Sequence, residues 1–212
     1  MPLNKLQALK LIELLDKSIK NPETSLKYRN QFTLLTSVVL SAQCTDVNVN
    51  NVTKNIYKKY YTPHHFFNLG IRKIRLMIKS IGLFNMKAKN LYNLSRILIE
   101  KYRSKVPNNF EDLISLPGVG RKTANVVLNA AFNKPTIAVD THVFRVGNRT
   151  GLTKGINPNQ VEKQLLKILP NKYLKKAHHL ILLHGRYTCK SRNPICTQCI
   201  INKICLYKDK NV

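Results

Sequence analysis

The fold of this chain is best predicted from one short stretch, Leu116-Pro117-Gly118-Val119-Gly120-Arg121-Lys122. Helical patterns precede it over residues 109–116 and follow it over residues 121–131. One proline and two glycines permit a tight turn that a Cβ-bearing residue would obstruct. Glycines also expose backbone N–H groups at the start of a helix, where a phosphate can bind. The stretch therefore predicts a helix-hairpin-helix, which holds a nucleic-acid backbone without reading its sequence.

A Gly-x-Gly turn can also simply join two helices, so the overall charge matters. Lys and Arg number 36 against 10 Asp and Glu, which gives a net charge of +26. Such an excess attracts polyanions and speeds encounter with them. Part of it has a blander source, because a chain rich in Lys, Asn and Ile carries extra lysines on solvated faces. The scarcity of acidic residues still favours nucleic acid as the partner.

The periodicity of apolar residues is helical nearly everywhere and predicts an all-α protein of about ten short helices. Apolar stripes run, for example, through Leu6, Leu9, Ile12, Leu15 and Ile19, and through Leu91, Leu94, Leu98 and Tyr102. No stretch approaches the ~18 uninterrupted apolar residues of a membrane span. The N-terminus does not resemble a signal peptide. We therefore expect a soluble intracellular protein.

Two residues are candidates for chemistry. Lys122 lies in the first turn of the second hairpin helix, where the positive helix end and Arg121 disfavour an ammonium and favour a nucleophilic amine. A lysine that only pairs with phosphate fits the same position, and the residues alone leave this choice open. Asp140 follows the apolar run Ala138-Val139 and precedes a predicted helix. It is either an N-cap or a carboxylate that stabilises positive charge, and the two roles are compatible.

Four of the five cysteines form the pattern C-x6-C-x2-C-x5-C at Cys189, Cys196, Cys199 and Cys205. Without secretion signals, such a cluster indicates a metal centre rather than disulfides. Four thiolates suit zinc or a four-iron cluster equally well. Lys190 and Arg192 make the same segment basic. Cys44 stands apart, and we expect it to pack in the core.

With these residues in view, the chain resembles the endonuclease III family over essentially its whole length. The resemblance rests on several further segments besides the hairpin and the cysteine spacing. They are Leu40-Ser41-Ala42-Gln43 with Thr45-Asp46, Ile81-Gly82-Leu83-Phe84-Asn85, Val139-Asp140-Thr141-His142 and His184-Gly185-Arg186-Tyr187. Cys44 departs from the pattern, which has a small residue such as Ala there.

The resemblance implies a role for each candidate. Lys122 matches the Schiff-base lysine, Asp140 the catalytic aspartate, and the four cysteines the ligands of a [4Fe-4S] cluster, which favours iron over zinc. Gln43 matches the residue that fills the gap left by an extruded nucleotide. Leu83 matches a wedge in the opposite strand, although without the family a core leucine would be the preferred interpretation. The implied DNA contacts are Gln43, Leu83, Gly118, Val119, Gly120, Arg121, Lys190 and Arg192.

The implied architecture is two helical lobes with a DNA groove between them. We expect a six-helix lobe over residues 23–134 and a cluster-bearing lobe of residues 1–22 with 135–212. We also expect a cytoplasmic, nucleoid-associated bacterial monomer that acts on duplex DNA.

The implied function is base-excision repair of oxidised pyrimidines, by glycosylase action followed by β-elimination at the abasic site. Two alternatives are a non-catalytic helix-hairpin-helix DNA-binding module and a monofunctional glycosylase acting on mispaired adenine. The second lacks the lysine nucleophile, so Lys122 argues against it.

Overall fold

The computed structural model describes residues 2–211, and within that range it contains ten α-helices and no strand, which confirms the all-α prediction. The helices are α1 Lys5–Ser18, α2 Gln31–Ser41, α3 Asp46–Lys59, α4 Pro63–Met77, α5 Phe84–Tyr102, α6 Phe110–Ile114, α7 Arg121–Phe132, α8 Thr141–Thr150, α9 Pro158–Ile168 and α10 Asn171–Tyr187. Among the described residues, no helix is long and apolar enough to cross a membrane.

Short polar side chains fix where most of the helices begin. The side chains of Asn4, Asn30, Thr45, Thr62, Asn109, Asp140 and Asn157 each accept a backbone N–H from the first turn that follows. Such N-caps satisfy a donor that has no intrahelical partner, and each typically contributes about 1 kcal/mol.

The chain divides into two compact units, one made of Thr24–Phe132 and the other of Met1–Glu23 with Asn133–Val212. The continuous unit contains helices α2 to α7 around one apolar core. Helix α2 lies deepest in it, with every residue from Phe32 to Leu40 buried. The C-terminal end of α2 therefore has a fixed position, which matters for the turn that follows it.

The second unit is discontinuous in sequence. Helix α1 packs against α10, and α8 packs against both α9 and α10. The phenol of Tyr173 donates to the Glu13 carboxylate at 3.2 Å, and Lys176 pairs with Asp16 at 3.2 Å. Buried apolar residues from both segments, including Leu11, Leu15, Leu180 and Ile181, form a single core.

Candidate active site

The hairpin between α6 and α7 has the tight turn expected from its sequence. Val119 N–H donates to Leu116 O at 3.1 Å, and Ala124 N–H donates to Gly120 O at 2.9 Å as α7 begins. Leu113, Leu116 and Val119 are buried in the core of their unit. The turn is therefore anchored by apolar side chains, and the backbone around Gly118 and Gly120 lies at the surface.

The two glycines of the hairpin differ in what a side chain would meet at their positions. Gly118 has φ +79°, and a Cβ there would approach Asn90 Nδ2 to 2.9 Å. Any other residue would therefore be both strained and obstructed. At Gly120 a Cβ would meet nothing within 4 Å, so the expectation that both glycines avoid obstruction is wrong for this one.

Lys122 is exposed in the first turn of α7, directly after the hairpin. The guanidinium of neighbouring Arg121 lies 4.8 Å from the centre of the Phe110 ring, so it bridges α7 to α6. A lysine amine at this place is accessible to a large substrate. Its neighbours on the hairpin present backbone amides at the start of a helix, a site that favours anions.

Asp140 is the N-cap of α8 and is mostly enclosed. Its Oδ1 accepts Val143 N–H at 2.8 Å, and its Oδ2 lies 3.3 Å from His142 Nδ1. Only 12% of its side chain is exposed. The predicted N-cap role is confirmed, and the second carboxylate oxygen is held beside an imidazole.

Two histidines of α10 that sequence reasoning passed over lie close to Asp140. His178 Nδ1 is 2.8 Å from Ala138 O, two residues before the aspartate. Burial and, to a smaller extent, neighbouring His178 lower the pKa of His179 to about 4, although Asp140 acts in the opposite direction. His179 is therefore uncharged at neutral pH. No pattern in the sequence marks these residues, because they approach Asp140 from a distant helix.

Gln43 and Leu83 lie on two adjoining turns of the continuous unit. Gln43 has φ +53° and Leu83 has φ +61°, both in the left-handed region. This conformation costs a residue with a side chain roughly 1–2 kcal/mol. A Cβ at Gly82 would lie 3.7 Å from the Gln43 carbonyl oxygen, so the two turns are close together. With 49% of Leu83 exposed, the interpretation of Leu83 as a core residue is wrong.

Cys44, directly after Gln43, is half-buried and packs against the core as expected. Its sulfur accepts a hydrogen bond from Asn48 Nδ2 at 3.3 Å.

All four clustered cysteines line one small cavity, together with His184 and Ile201 among others. All four are free thiols. Burial raises the pKa of the Cys199 and Cys205 thiols, and the other cysteines raise it further. Four half-buried thiolates would repel one another, so a cationic centre is what this set of donors accommodates. Within residues 2–211, no three His, Cys, Asp or Glu side chains are close enough to hold a single metal ion.

Helix α8 holds the cysteine segment through two arginines that sequence reasoning also missed. Arg145 donates to Gly185 O at 2.8 Å and to Cys189 O at 3.0 Å. Arg149 donates to Lys190 O at 2.6 Å and to Ser191 O at 2.8 Å. A Cβ at Gly185 would be 3.0 Å from a Val146 side-chain atom and 3.1 Å from the His142 Cβ, so a larger residue would be crowded there. Helix α8 is therefore capped by Asp140 at its start and, through Arg145 and Arg149, holds the backbone around Cys189.

The chain is similar to known proteins over most of its length. Residues 36–171 match the model of the HhH-GPD superfamily of base excision DNA repair proteins. Endonuclease III of Rickettsia conorii is 55% identical over 93% of this chain and 94% of its own length. Endonuclease III of Escherichia coli K12 is 48% identical over 98% and 99%. The chain belongs to the endonuclease III family.

A solved structure of a trapped endonuclease III–DNA covalent intermediate matches with a TM-score of 0.90, 43% identity and 96% coverage of both chains. Family membership makes this chain an enzyme of base-excision repair, with DNA glycosylase and abasic-site lyase activity.

Proposed function

We propose that this chain removes oxidised pyrimidines from duplex DNA and cleaves the resulting abasic site, with Lys122 as the nucleophile. The observation that carries the proposal is the exposed lysine in the first turn after a glycine hairpin. A relative of 43% identity has been trapped as a covalent intermediate with DNA, which supports a nucleophile in the family. Adjacent hairpin amides would hold a backbone phosphate while the amine reaches the sugar.

The chemistry would proceed in two stages. The neutral amine attacks C1′, the bond between C1′ and the base breaks, and the base leaves with the bonding electrons. The attacking nitrogen then loses a proton, its lone pair forms an iminium with C1′, and the C1′–O4′ bond breaks as O4′ takes up a proton. Transfer of a C2′ proton to a base and departure of the 3′ phosphate complete β-elimination and cut the strand, and hydrolysis of the imine by water then releases the lysine amine. The Asp140 carboxylate would stabilise the positive charge that develops at C1′.

A base within a duplex is shielded, so the damaged nucleotide must first leave the stack, at a cost of a few kcal/mol. Gln43 and Leu83 would offset that cost by occupying the vacated space. Support comes from their exposure on adjoining turns, where both side chains project from strained backbone.

A panel of lesion-bearing duplexes, assayed separately for base release and strand cleavage, tests the proposed function. Oxidised pyrimidines should be released and the product strand cut by β-elimination. Binding without either reaction would favour a non-catalytic module. Release of mispaired adenine without strand cleavage would favour a monofunctional glycosylase.

DNA affinity should fall steeply with salt, because the proposed contacts at the hairpin, Lys190 and Arg192 are with phosphates. Replacing both Lys190 and Arg192 by Ala should flatten the slope of log Kd against log salt by about 2. Titrations of a fluorescent duplex at several salt concentrations measure it. The matched control replaces Lys163 and Lys167, two exposed lysines of α9, and should leave the slope within error. A flat salt response of the wild type would contradict the electrostatic account.

We propose a [4Fe-4S] cluster held by Cys189, Cys196, Cys199 and Cys205, since all four line one cavity and their pattern matches the family. When bound, the cluster would supply cross-links that fix the basic segment carrying Lys190 and Arg192. The chain itself holds the same segment through Arg145 and Arg149.

The Cys199→Ser variant should lose its iron, and its DNA Kd should rise about tenfold as phosphate contacts become disordered. Iron and sulfide analysis and the same titrations measure both effects. Cys44→Ser, outside the set, should keep full iron content. Unchanged affinity in iron-free Cys199→Ser would contradict a role for the cluster in shaping the DNA surface, and stoichiometric zinc in the wild type would contradict iron.

We further propose a nucleoid-associated monomer, as expected for a highly basic DNA enzyme of this family.

A further inference from the structure

Lys87, on the first turn of α5, is a buried cation that none of the roles above uses. Only 3% of it is exposed. Its ammonium donates to Leu40 O at 2.9 Å and to Ala42 O at 2.6 Å. These carbonyls are at the C-terminal end of α2, immediately before Gln43.

Simple packing does not account for a lysine at this place. Burial lowers the pKa of Lys87, because apolar surroundings disfavour the charged form, and Cys44 partly opposes this effect. A methionine would fill similar space without that penalty. The ammonium is instead matched to carbonyl oxygens at the negative end of a helix. It therefore connects the start of α5, which follows the Leu83 turn, to the end of α2, which precedes the Gln43 turn.

A hydrogen bond from a different side chain also connects the segments that flank these two turns. Asn48 Nδ2, in the first turn of α3, donates to Ser80 O at 3.2 Å. Ser80 precedes Leu83, and Asn48 follows Gln43, so this bond joins the far flanks of the two turns. The side chains of Lys87 and Asn48 therefore connect the segments that flank the two strained positions, Gln43 and Leu83.

We propose that Lys87, assisted by Asn48, is a positioning residue that keeps the Gln43 and Leu83 turns in register to fill the space left by an extruded nucleotide. The inference rests on the proposed roles of Gln43 and Leu83. Without the ammonium, the carbonyl end of α2 is released and the left-handed turns relax. Extrusion of the nucleotide should then become slower, while the rate of the chemistry at C1′ should stay the same.

The test compares Lys87→Met with Lys89→Met, which removes the same charge from an exposed position on the same helix. Single-turnover base release is measured with one lesion in a duplex and in a single strand, where no stack has to be opened. Lys87→Met should be slower by about 100-fold on the duplex, as for other misplaced groups, and within about threefold on the single strand. Lys89→Met should match wild type on both.

A direct signal of extrusion comes from 2-aminopurine placed opposite the lesion, whose fluorescence rises when it is unstacked. The rise seen with wild type should be absent with Lys87→Met and restored by Lys87→Arg, which retains the charge. Asn48→Ala should show a smaller loss of the fluorescence rise. If thermal melting shows that Lys87→Met is unfolded, Asn48→Ala replaces it as the test variant. Equal losses on duplex and single strand, or no loss on either, would overturn the inference.

Gln43→Ala and Leu83→Ala separate this inference from the function beneath it. If these variants impair extrusion while Lys87→Met and Asn48→Ala do not, the positioning role alone is wrong. If neither Gln43→Ala nor Leu83→Ala impairs it, the proposed gap-filling is wrong and the positioning role fails with it. If the inference is right, adding Gln43→Ala to Lys87→Met should slow duplex cleavage far less than it slows wild type.

Discussion

Lys122→Ala should abolish strand cleavage and leave no covalent adduct when the enzyme is mixed with lesion-bearing DNA and borohydride. The reason is that the proposed imine has no nitrogen to form on, and borohydride then has nothing to reduce. The single-turnover rate of cleavage should fall about 10⁴-fold or more, as when other nucleophiles are removed. The melting temperature should barely change, because Lys122 is exposed.

Lys122→Arg is the matched control for the other interpretation, in which the lysine only pairs with phosphate. Arginine keeps the charge and binds phosphate well, but it does not lose its proton to become a nucleophile. DNA affinity should therefore be preserved while trapping and cleavage are lost. An arginine variant that still cleaves, or an alanine variant that still traps, would remove Lys122 as the nucleophile.

Asp140→Asn should slow base release by about 100- to 1000-fold, the usual effect of removing one group that stabilises a charged transition state. Asparagine is as good an N-cap as aspartate. Its side-chain oxygen would retain the bond that Val143 N–H now makes at 2.8 Å, so the fold should be unaffected. Single-turnover glycosylase assays and thermal melting measure the two properties independently.

Asp140→Ala removes the cap together with the charge. It should lose the same activity and in addition about 1 kcal/mol of stability, which lowers Tm by about 2–4 °C for a chain of this size. If Asp140→Asn keeps wild-type activity, the residue is an N-cap and the catalytic assignment is wrong.

Local chemistry explains why much of this molecule was predictable from its sequence. The Asp140 cap is encoded within three residues of the N–H that it accepts, and the predicted N-cap role is confirmed. Gly118 was recognisable because a tight turn requires it, although its contact with Asn90 was not. The family resemblance was likewise carried by short segments.

What escaped prediction depends on partners far away in sequence. Lys87 lies 47 residues from Leu40, and Arg145 lies 44 residues from Cys189. In a chain with 36 Lys and Arg, nothing local separates a buried anchoring cation from a solvated one. The residues around Leu83 did not by themselves indicate its exposure, because an isolated leucine after glycine is compatible with core and surface alike; only the family resemblance implied it.

The second unit is formed by two separate segments of the chain, and this has a consequence for folding during synthesis. The continuous unit can fold as soon as its own residues have left the ribosome, since all its helices are consecutive. Helix α1 is made long before its partner α10, since Glu13 precedes Tyr173 by 160 residues. Closing so long a loop is slow. The nascent protein should therefore carry a folded hairpin with Lys122 before the second unit, which contains Asp140 and the cysteines, has folded.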